Sequence, residues 1–202
     1  MNSLRFAELS RRGLFHFFTL RQAHSPQSGD LPERLKAEGL PVAMVSAEQV
    51  HGAGVVKVSR ADAGKTMPQA DGLISAESHL TLVVRVADCG PVWLHCRKTG
   101  AVGLVHSGRK GTELGIVPAT IRTMQKEFGA EPAEMLGLLG PCIRPPHYDV
   151  DFAGEILRQM KTEGVGEMVD SGLCTASDPE RFYSYRREKG QTGRHFAVLA
   201  KM

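Results

Sequence analysis

Six short apolar runs, separated by glycine and polar residues, follow one another through the middle of the chain and constrain its fold most strongly. They occupy positions 42–45, 54–58, 72–74, 80–86, 92–95 and 101–106. Runs of this length between turn residues are typical of β-strands. The polar segment 97–100 ends in glycine and has the length of a hairpin loop, so the last two runs should pair antiparallel. The middle of the chain is therefore predicted to be sheet.

Apolar residues at spacings of three and four predict a helix after this region. They are Leu114, Val117, Ile121, Met124 and Phe128. The regular part of the helix should begin close to Pro118, which has no backbone donor, and end at Gly129. Two further helices are predicted at 151–164, with Asp151 as N-cap, and at 30–39.

Segments 136–139 and 196–199 add two predicted strands near the C-terminus. With 202 residues, 42% of them hydrophobic and 23% charged, the chain has the composition of an ordinary globular protein. We expect a single domain over residues 1–202 with an α+β fold, in which helices flank a mixed, largely antiparallel sheet. An α/β fold is the alternative.

Charge and cysteine content indicate the class of partner and the compartment. A net charge of +3 is too small to indicate nucleic acid. Charged residues interrupt the N-terminus, and no run approaches the ~18 apolar residues of a membrane span, so neither secretion nor a membrane is expected. Four cysteines without a CxxC pair favour free or metal-bound thiols in a reducing cytoplasm.

Three segments place a metal-capable residue beside glycine or proline at the end of a predicted strand, namely 49–52, 87–91 and 105–108. Their residues His51, Cys89 and His106 would supply two imidazoles and a thiolate, a donor set that suits Zn²⁺ with a fourth position left to water. The three lie 38 and 17 residues apart and have no local signature. Spacing alone therefore favours the alternative that they are partly buried polar residues satisfied by hydrogen bonds.

An ordered set of motifs resembles one family. The motifs are Gln49-Val50-His51-Gly52, Ala70-Asp71-Gly72, Ala87-Asp88-Cys89-Gly90-Pro91-Val92, His106-Ser107-Gly108, Gly140-Pro141-Cys142-Ile143, Tyr148-Asp149-Val150, Ser184-Tyr185-Arg186-Arg187 and Thr192-Gly193-Arg194. From about Phe18 to the C-terminus the chain is similar to the YfiH or laccase-domain family, also called multicopper polyphenol oxidoreductases, which includes purine nucleoside phosphorylases. The resemblance implies a YfiH-like fold and zinc ligands at His51, Cys89 and His106.

Two departures mark the chain as a divergent, short member of that family. Arg109 stands where the family has a tryptophan after the histidine motif, and Gly90 stands where it usually has leucine. After Arg21 the family's glycine-rich GGVS loop and the asparagine-rich stretch that follows it are missing. A cation in place of an indole would change which ligand stacks beside the metal.

The resemblance implies phosphorolysis of adenosine, inosine or methylthioadenosine, with adenosine deamination as a related activity. The expected partners are thus a purine nucleoside and phosphate. Cys89 and His106 would be catalytic, and Asp88 would act as general base, hold a histidine, or cap a turn. Arg21, Arg109 and Lys110 are the candidate phosphate ligands, although such residues are more often solvated surface charges. Gln49 joins them as a candidate substrate-binding residue.

Three other functions stay open at this stage. Without metal, Cys89 would be a thiolate nucleophile activated by His106 or His51, as in an amidase that edits peptidoglycan precursors. The chain would alternatively be a zinc-binding relative without activity. A copper polyphenol oxidase, with copper as the alternative metal, is the least favoured function, because the chain has no His-x-His pair of the kind that multicopper clusters use. The basic segment 181–194 is expected to be a solvated turn and not a nucleic-acid surface.

Overall fold

The computed structural model describes residues 3–22 and 30–202, which form twelve β-strands and five α-helices. The strands are β1 (Ser3–Leu4), β2 (Leu14–Thr19), β3 (Met44–Ala47), β4 (Val55–Lys57), β5 (Thr66–Met67), β6 (Gly72–Ser75), β7 (Leu80–Val86), β8 (Gly90–Cys96), β9 (Val102–Ser107), β10 (Met135–Leu139), β11 (Glu167–Asp170) and β12 (His195–Lys201). The helices are α1 (Ala7–Ser10), α2 (Leu31–Ala37), α3 (Arg109–Glu113), α4 (Ile116–Phe128) and α5 (Phe152–Thr162).

The strands form two six-stranded sheets. The first has the order β1-β2-β12-β7-β3-β5, and the second has the order β11-β10-β8-β9-β6-β4. Six of the ten strand pairs in the described part of the chain are antiparallel, and β8 and β9 form the predicted hairpin. The α+β class and the mixed pairing are therefore confirmed, with two sheets where one was expected.

The two sheets pack face to face over a shared apolar core. Trp93 of the second sheet is fully buried there, and its indole Nε1 donates a hydrogen bond of 3.0 Å to the carbonyl of Val198 in the first sheet. Helices α4 and α5 cover the outer face of the second sheet, whereas α2 covers the first sheet with Leu31 and Leu35. The result is four layers in the order helix, sheet, sheet, helix.

The three predicted helices are confirmed as α2, α4 and α5. Helix α4 starts two residues before Pro118, which is tolerated because backbone N–H groups in the first turn have no intrahelical partner. Gly129 ends the helix in the left-handed conformation at φ 63°. Asp151 caps α5 by accepting a 2.9 Å hydrogen bond from the N–H of Gly154. The prediction that Leu114 lies on the apolar face of α4 was wrong. Leu114 lies between α3, which ends at Glu113, and α4, and it is 55% exposed.

Neither the longest helix, α4 with 13 residues, nor any other helix in the described ranges combines the length and apolar character that crossing a bilayer requires. The segment after Arg21, where the family's GGVS loop is predicted to be missing, consists largely of residues 23–29. These residues lie outside the described ranges.

Candidate metal centre

The predicted residues His51, Cys89 and His106 meet where strands of both sheets begin or end. His51 lies in the loop after β3, Cys89 directly precedes β8, and His106 is the penultimate residue of β9. Strands β8 and β9 pair Gly90 with Ser107 and Pro91 with His106, so Cys89 lies beside the end of β9. One nitrogen of each histidine and the sulfur of Cys89 all lie within 4.8 Å of one another. Three residues that are distant in sequence thus form one cluster.

A buried carboxylate supports two of these residues. Asp71, just before β6, is fully buried, and its Oδ1 lies 2.7 Å from Nδ1 of His106. The same carboxylate accepts hydrogen bonds from the backbone N–H of His51 at 3.0 Å and of Gly52 at 2.8 Å. Because Nδ1–H of His106 is directed to Asp71, Nε2 is free to act as a ligand.

Gly108 provides the space that the sulfur of Cys89 occupies. A Cβ atom added at Gly108 would lie 2.5 Å from this Sγ and 3.7 Å from Cδ2 of His51. The first distance is well inside van der Waals contact. The packing of the cluster therefore requires a glycine at position 108.

Protonation in the cluster is coupled. Burial alone would raise the pKa of Cys89, but hydrogen bonds from His106 and His51 lower it to about 7. Burial alone would lower the pKa of His106, but its hydrogen bonds to Asp71 and Cys89 raise that pKa to about 9. Without a cation the cluster therefore favours a thiolate beside an imidazolium.

Left-handed backbone conformations hold two of the loops. Gln49, His51 and Asp88 have φ values of 66°, 59° and 84°, a region that residues with a Cβ rarely adopt. The side-chain amide of Gln49 donates to the carbonyl of Arg85 at 2.6 Å and accepts from its N–H at 2.8 Å. Gln49 therefore extends the hydrogen bonding of β7 and fixes the loop that carries His51.

The cluster opens into a cavity of about 1100 Å³. The cavity is lined by Glu48, Gln49, His51, Arg85, Ala87, Asp88, Cys89, His106, Arg109, Ile143, Tyr148, Phe152, Tyr185, Arg186, Lys189, Gly190 and Arg194. Five of these side chains are cationic and two are acidic, so the lining carries a net positive charge. Three aromatic side chains complete it. Such a lining suits an anion together with a flat ring system.

Not all candidate phosphate ligands lie in this cavity. Arg109 lines it and is paired with Glu113 at 2.8 Å. Lys110 is exposed on α3 and does not contribute to the lining. Arg21 also lies elsewhere: its Nη1 donates to Glu188 at 2.7 Å and its guanidinium lies 5.0 Å from the ring centroid of Tyr183. Of the three candidate phosphate ligands, the structure thus places Arg109 at the cavity and Arg21 and Lys110 outside its lining.

Asp88 lines the cavity but is committed to other partners. Its Oδ1 accepts a 2.6 Å hydrogen bond from the hydroxyl of Thr175, and its Oδ2 accepts a 2.7 Å bond from the N–H of Arg186. Asp71, and not Asp88, holds the histidine. Asp88 instead joins the end of β7 to the loop that carries Arg186.

The sequence interpretation missed Asp71 and the contribution of segment 181–194. Asp71 belongs to the motif Ala70-Asp71-Gly72. The available signal for its role was an acidic residue directly before the predicted strand that begins with Gly72. Segment 181–194 was expected to be a solvated turn, yet Tyr185, Arg186 and Lys189 line the cavity. No local pattern distinguishes a basic turn that faces solvent from one that faces a cavity.

The donor set fits a metal ion. Two imidazoles and one thiolate are borderline soft, and both zinc and copper accept such donors. The hydrogen bond from His106 to Asp71 is the usual support of a histidine ligand. Three protein donors leave a further coordination position, which is typical of catalytic and not of structural zinc sites.

Fold and cluster together define an α+β protein with a candidate metal site built from two histidines and one cysteine. A family model described as multi-copper polyphenol oxidoreductase laccase matches residues 31–155 and 147–201. The chain belongs to this family, and the resemblance inferred from its motifs is confirmed.

Curated relatives carry the name purine nucleoside phosphorylase. One from Corynebacterium glutamicum is 35% identical, with 79% of this chain and 74% of the relative covered. Another from Streptomyces coelicolor is 32% identical, with 76% and 73% covered.

Solved structures show the same fold. YlmD from Geobacillus stearothermophilus matches with a TM-score of 0.89 and 23% identity, covering 100% of this chain and 96% of that chain. YfiH from Bacillus licheniformis matches with a TM-score of 0.89 and 20% identity, covering 100% and 97%.

Proposed function

We propose that this chain is a zinc-dependent phosphorylase of purine nucleosides, with His51, Cys89 and His106 as the metal ligands. The observation that carries the proposal is the convergence of these three residues within 4.8 Å in a cavity that also presents cations and aromatic rings. The names of the relatives supply the substrate class. The free cysteines of the described chain are consistent with a reducing, cytoplasmic setting.

The aromatic side chains supply surfaces for the purine. Tyr148 and Phe152 form an edge-to-face pair with ring centroids 5.9 Å apart, which fixes the ring of Tyr148. Tyr185 is 54% exposed and is the most exposed aromatic side chain of the lining. A base held between such rings is bound through its face, which leaves its glycosidic bond accessible to a nucleophile.

Phosphate is assigned to the cations of the lining. Arg109 lines the cavity and stays a phosphate candidate, whereas Arg186 and Lys189, which also line it, take the place of Arg21 and Lys110, which do not. Arg186 is held by its backbone bond to Asp88 and by its position 5.6 Å from the ring centroid of Tyr148. A guanidinium fixed in this way offers two parallel donors to an oxyanion.

Phosphorolysis breaks the bond between the sugar and the base and forms a bond from the sugar to a phosphate oxygen. The cations would orient that oxygen, and negative charge developing on the departing base must be stabilised. When bound, a zinc ion would supply Lewis acidity for this purpose. Asp71 would keep His106 in the tautomer that presents Nε2, whereas Asp88 would hold the loop with Arg186 in place.

The proposal is tested with the purified full chain. Metal content is measured by mass spectrometry, and release of adenine from adenosine is followed by chromatography with and without phosphate. We expect about one zinc per chain and phosphate-dependent release, both lost in Cys89→Ala and retained in Cys174→Ala. Copper in place of zinc, or adenine release that needs no phosphate, would contradict the proposal.

A thiol hydrolase is the second candidate, because His51 and His106 lie beside the sulfur of Cys89 and lower its pKa to about 7. That arrangement is the one an activated cysteine nucleophile uses. A metal-free chain whose Cys89 is rapidly alkylated by iodoacetamide at pH 7 would favour it. Slow alkylation that becomes fast only after chelation supports the metal enzyme.

A further inference from the structure

The loop of residues 181–194 forms one wall of the cavity without belonging to a helix or a strand. It contributes Tyr185, Arg186, Lys189, Gly190 and Arg194 to the lining. Between its own residues the backbone makes turn hydrogen bonds, such as Gly190 N–H to the carbonyl of Tyr185 at 2.9 Å. The backbone bonds that join it to the rest of the fold are few, and one of them runs from the N–H of Arg186 to Asp88. Irregular segments of this kind open locally at low free-energy cost unless side chains hold them.

The carboxylate of Glu188, behind this wall, accepts hydrogen bonds from the groups that hold the loop. Oε1 of Glu188 accepts hydrogen bonds from Nη1 of Arg21 at 2.7 Å, from Nη2 of Arg187 at 2.9 Å and from the N–H of Ser184 at 3.1 Å. The side chain is only 19% exposed. Partial burial alone would raise the pKa of Glu188, but its hydrogen bonds, that from Arg21 foremost, lower it to about 2. The carboxylate is therefore charged at any physiological pH.

The two guanidiniums bonded to Glu188 reach the rest of the fold. Arg21 follows β2, and its backbone N–H donates to the carbonyl of Arg181 at 2.8 Å. Arg187 donates to the carbonyls of Thr175 and Phe182 at 2.9 and 2.7 Å. Glu188 thus connects the first sheet, the segment around Thr175 and the loop. If Glu188 were uncharged, the guanidiniums of Arg21 and Arg187 would lose the carboxylate with which both are paired.

We propose that Glu188 is a positioning residue that holds the loop of residues 181–194 against the cavity and so sets the affinity for phosphate. The carboxylate does not line the cavity and acts through its hydrogen bonds, chiefly those with Arg21, Arg187 and Ser184. Its role is distinct from that of Asp88, which fastens the same loop from the cavity side at Arg186. The inference extends the proposed function, since phosphate is the ligand that the loop would bind.

The test compares wild type with Glu188→Ala, Glu188→Gln and the control Asp178→Asn. Asp178 lies in the turn before the loop, and its pair with Arg181, the first residue of the loop, is partly exposed. In Glu188→Ala we expect KM for phosphate to rise about tenfold with kcat within about threefold of wild type. Trypsin should cleave the loop about tenfold faster under native conditions, whereas zinc content stays unchanged. Glu188→Gln keeps an acceptor oxygen and should lie between wild type and the alanine variant.

Wild-type KM and wild-type cleavage in Glu188→Ala would overturn the inference, as would a loss confined to kcat. If the alanine variant does not fold, Glu188→Gln decides by the same two readouts. If the wild type releases no base, the proposed phosphorylase fails, but the inference is still tested by the shift in Tm that inorganic phosphate produces. An unchanged shift and unchanged cleavage in Glu188→Gln would then overturn it.

Discussion

Oδ1 of Asp71 lies 2.7 Å from Nδ1 of His106, and both side chains are buried. His106 lines the cavity, and the fully buried carboxylate of Asp71 lies behind it. Because the same carboxylate also accepts the N–H groups of His51 and Gly52, it supports two of the three candidate ligands at once.

Removing this carboxylate should weaken the metal site. In Asp71→Ala, Nδ1–H of His106 and two backbone N–H groups lose their acceptor, so we expect zinc affinity to fall about 10- to 100-fold. Asp71→Asn keeps an acceptor oxygen but not the charge and should lose less. Affinity is measured by competition with a chromophoric chelator. Wild-type affinity in the alanine variant would show that Asp71 serves the fold alone.

Gly108→Ala should displace the sulfur of Cys89. The added Cβ would lie 2.5 Å from Sγ, so either the thiolate or the start of α3 must move. We expect zinc affinity to fall at least about tenfold while the circular dichroism spectrum stays unchanged. Gly52→Ala is the matched control, because its Cβ would meet nothing nearer than a methyl group of Val50 at 3.4 Å. Equal affinities in the two variants would contradict the packing argument.

Substitutions of Asp88 distinguish a role as general base from a role in holding the loop that carries Arg186. An amide can still accept from the N–H of Arg186 and bond the hydroxyl of Thr175, so Asp88→Asn should keep kcat/KM within about fivefold of wild type. Asp88→Ala removes both bonds and should lower kcat/KM at least about tenfold. A general base would instead cost about 10²- to 10⁴-fold in both variants. Steady-state kinetics with adenosine and phosphate distinguish the two outcomes.

His195 should make the chain less stable in acid. The imidazole is fully buried, its Nδ1 lies 2.6 Å from the carbonyl of Thr19, and its Nε2 accepts from the N–H of Tyr183 at 2.8 Å. Burial, and to a lesser extent the charge of Arg21, lowers its pKa from 6.5 to about 4, although the hydrogen bonds and Glu188 oppose the shift. The unfolded chain therefore takes up the proton first as pH falls.

The free energy of unfolding should accordingly decrease from pH 6.5 to pH 4, by about 3 kcal/mol from His195 alone. Urea denaturation at pH 7 and at pH 4.5 measures the decrease. In His195→Gln, which does not titrate, the decrease should be smaller, even though the variant is less stable at pH 7. His147→Gln changes an exposed histidine and should behave as wild type. An equal decrease in wild type and His195→Gln would exclude this contribution.

Local signals in the sequence were sufficient for the hairpin of β8 and β9 and for α4, because their turn and stop residues adjoin their apolar pattern. Strand β2 was missed, since the polar His16 interrupts its apolar run. The structure satisfies that buried imidazole with the N–H of Phe6 at 2.7 Å. A polar residue whose partner lies elsewhere in the fold cannot be recognised as buried from the local pattern.

The same distinction applies to the site. His51, Cys89 and His106 were candidates because metal-capable residues at strand ends are a local feature, and the resemblance to the family favoured them as metal ligands. The cationic wall was not predicted, because the placement of Arg186 over the cavity depends on Asp88, 98 positions earlier in the chain. The number of sheets was missed for a similar reason: strand pairing between distant segments leaves no mark in either segment alone.

The burial of Trp93 between the two sheets gives the molecule an intrinsic optical probe. It is the single tryptophan of the chain, and its indole bonds across the interface to Val198. Its emission should therefore shift to longer wavelength when the sheets separate and water reaches the ring. Trp93 lies on β8, four residues after Cys89. Removal of a metal ion that leaves the chain folded should therefore shift the emission little, whereas unfolding of the two sheets should shift it strongly.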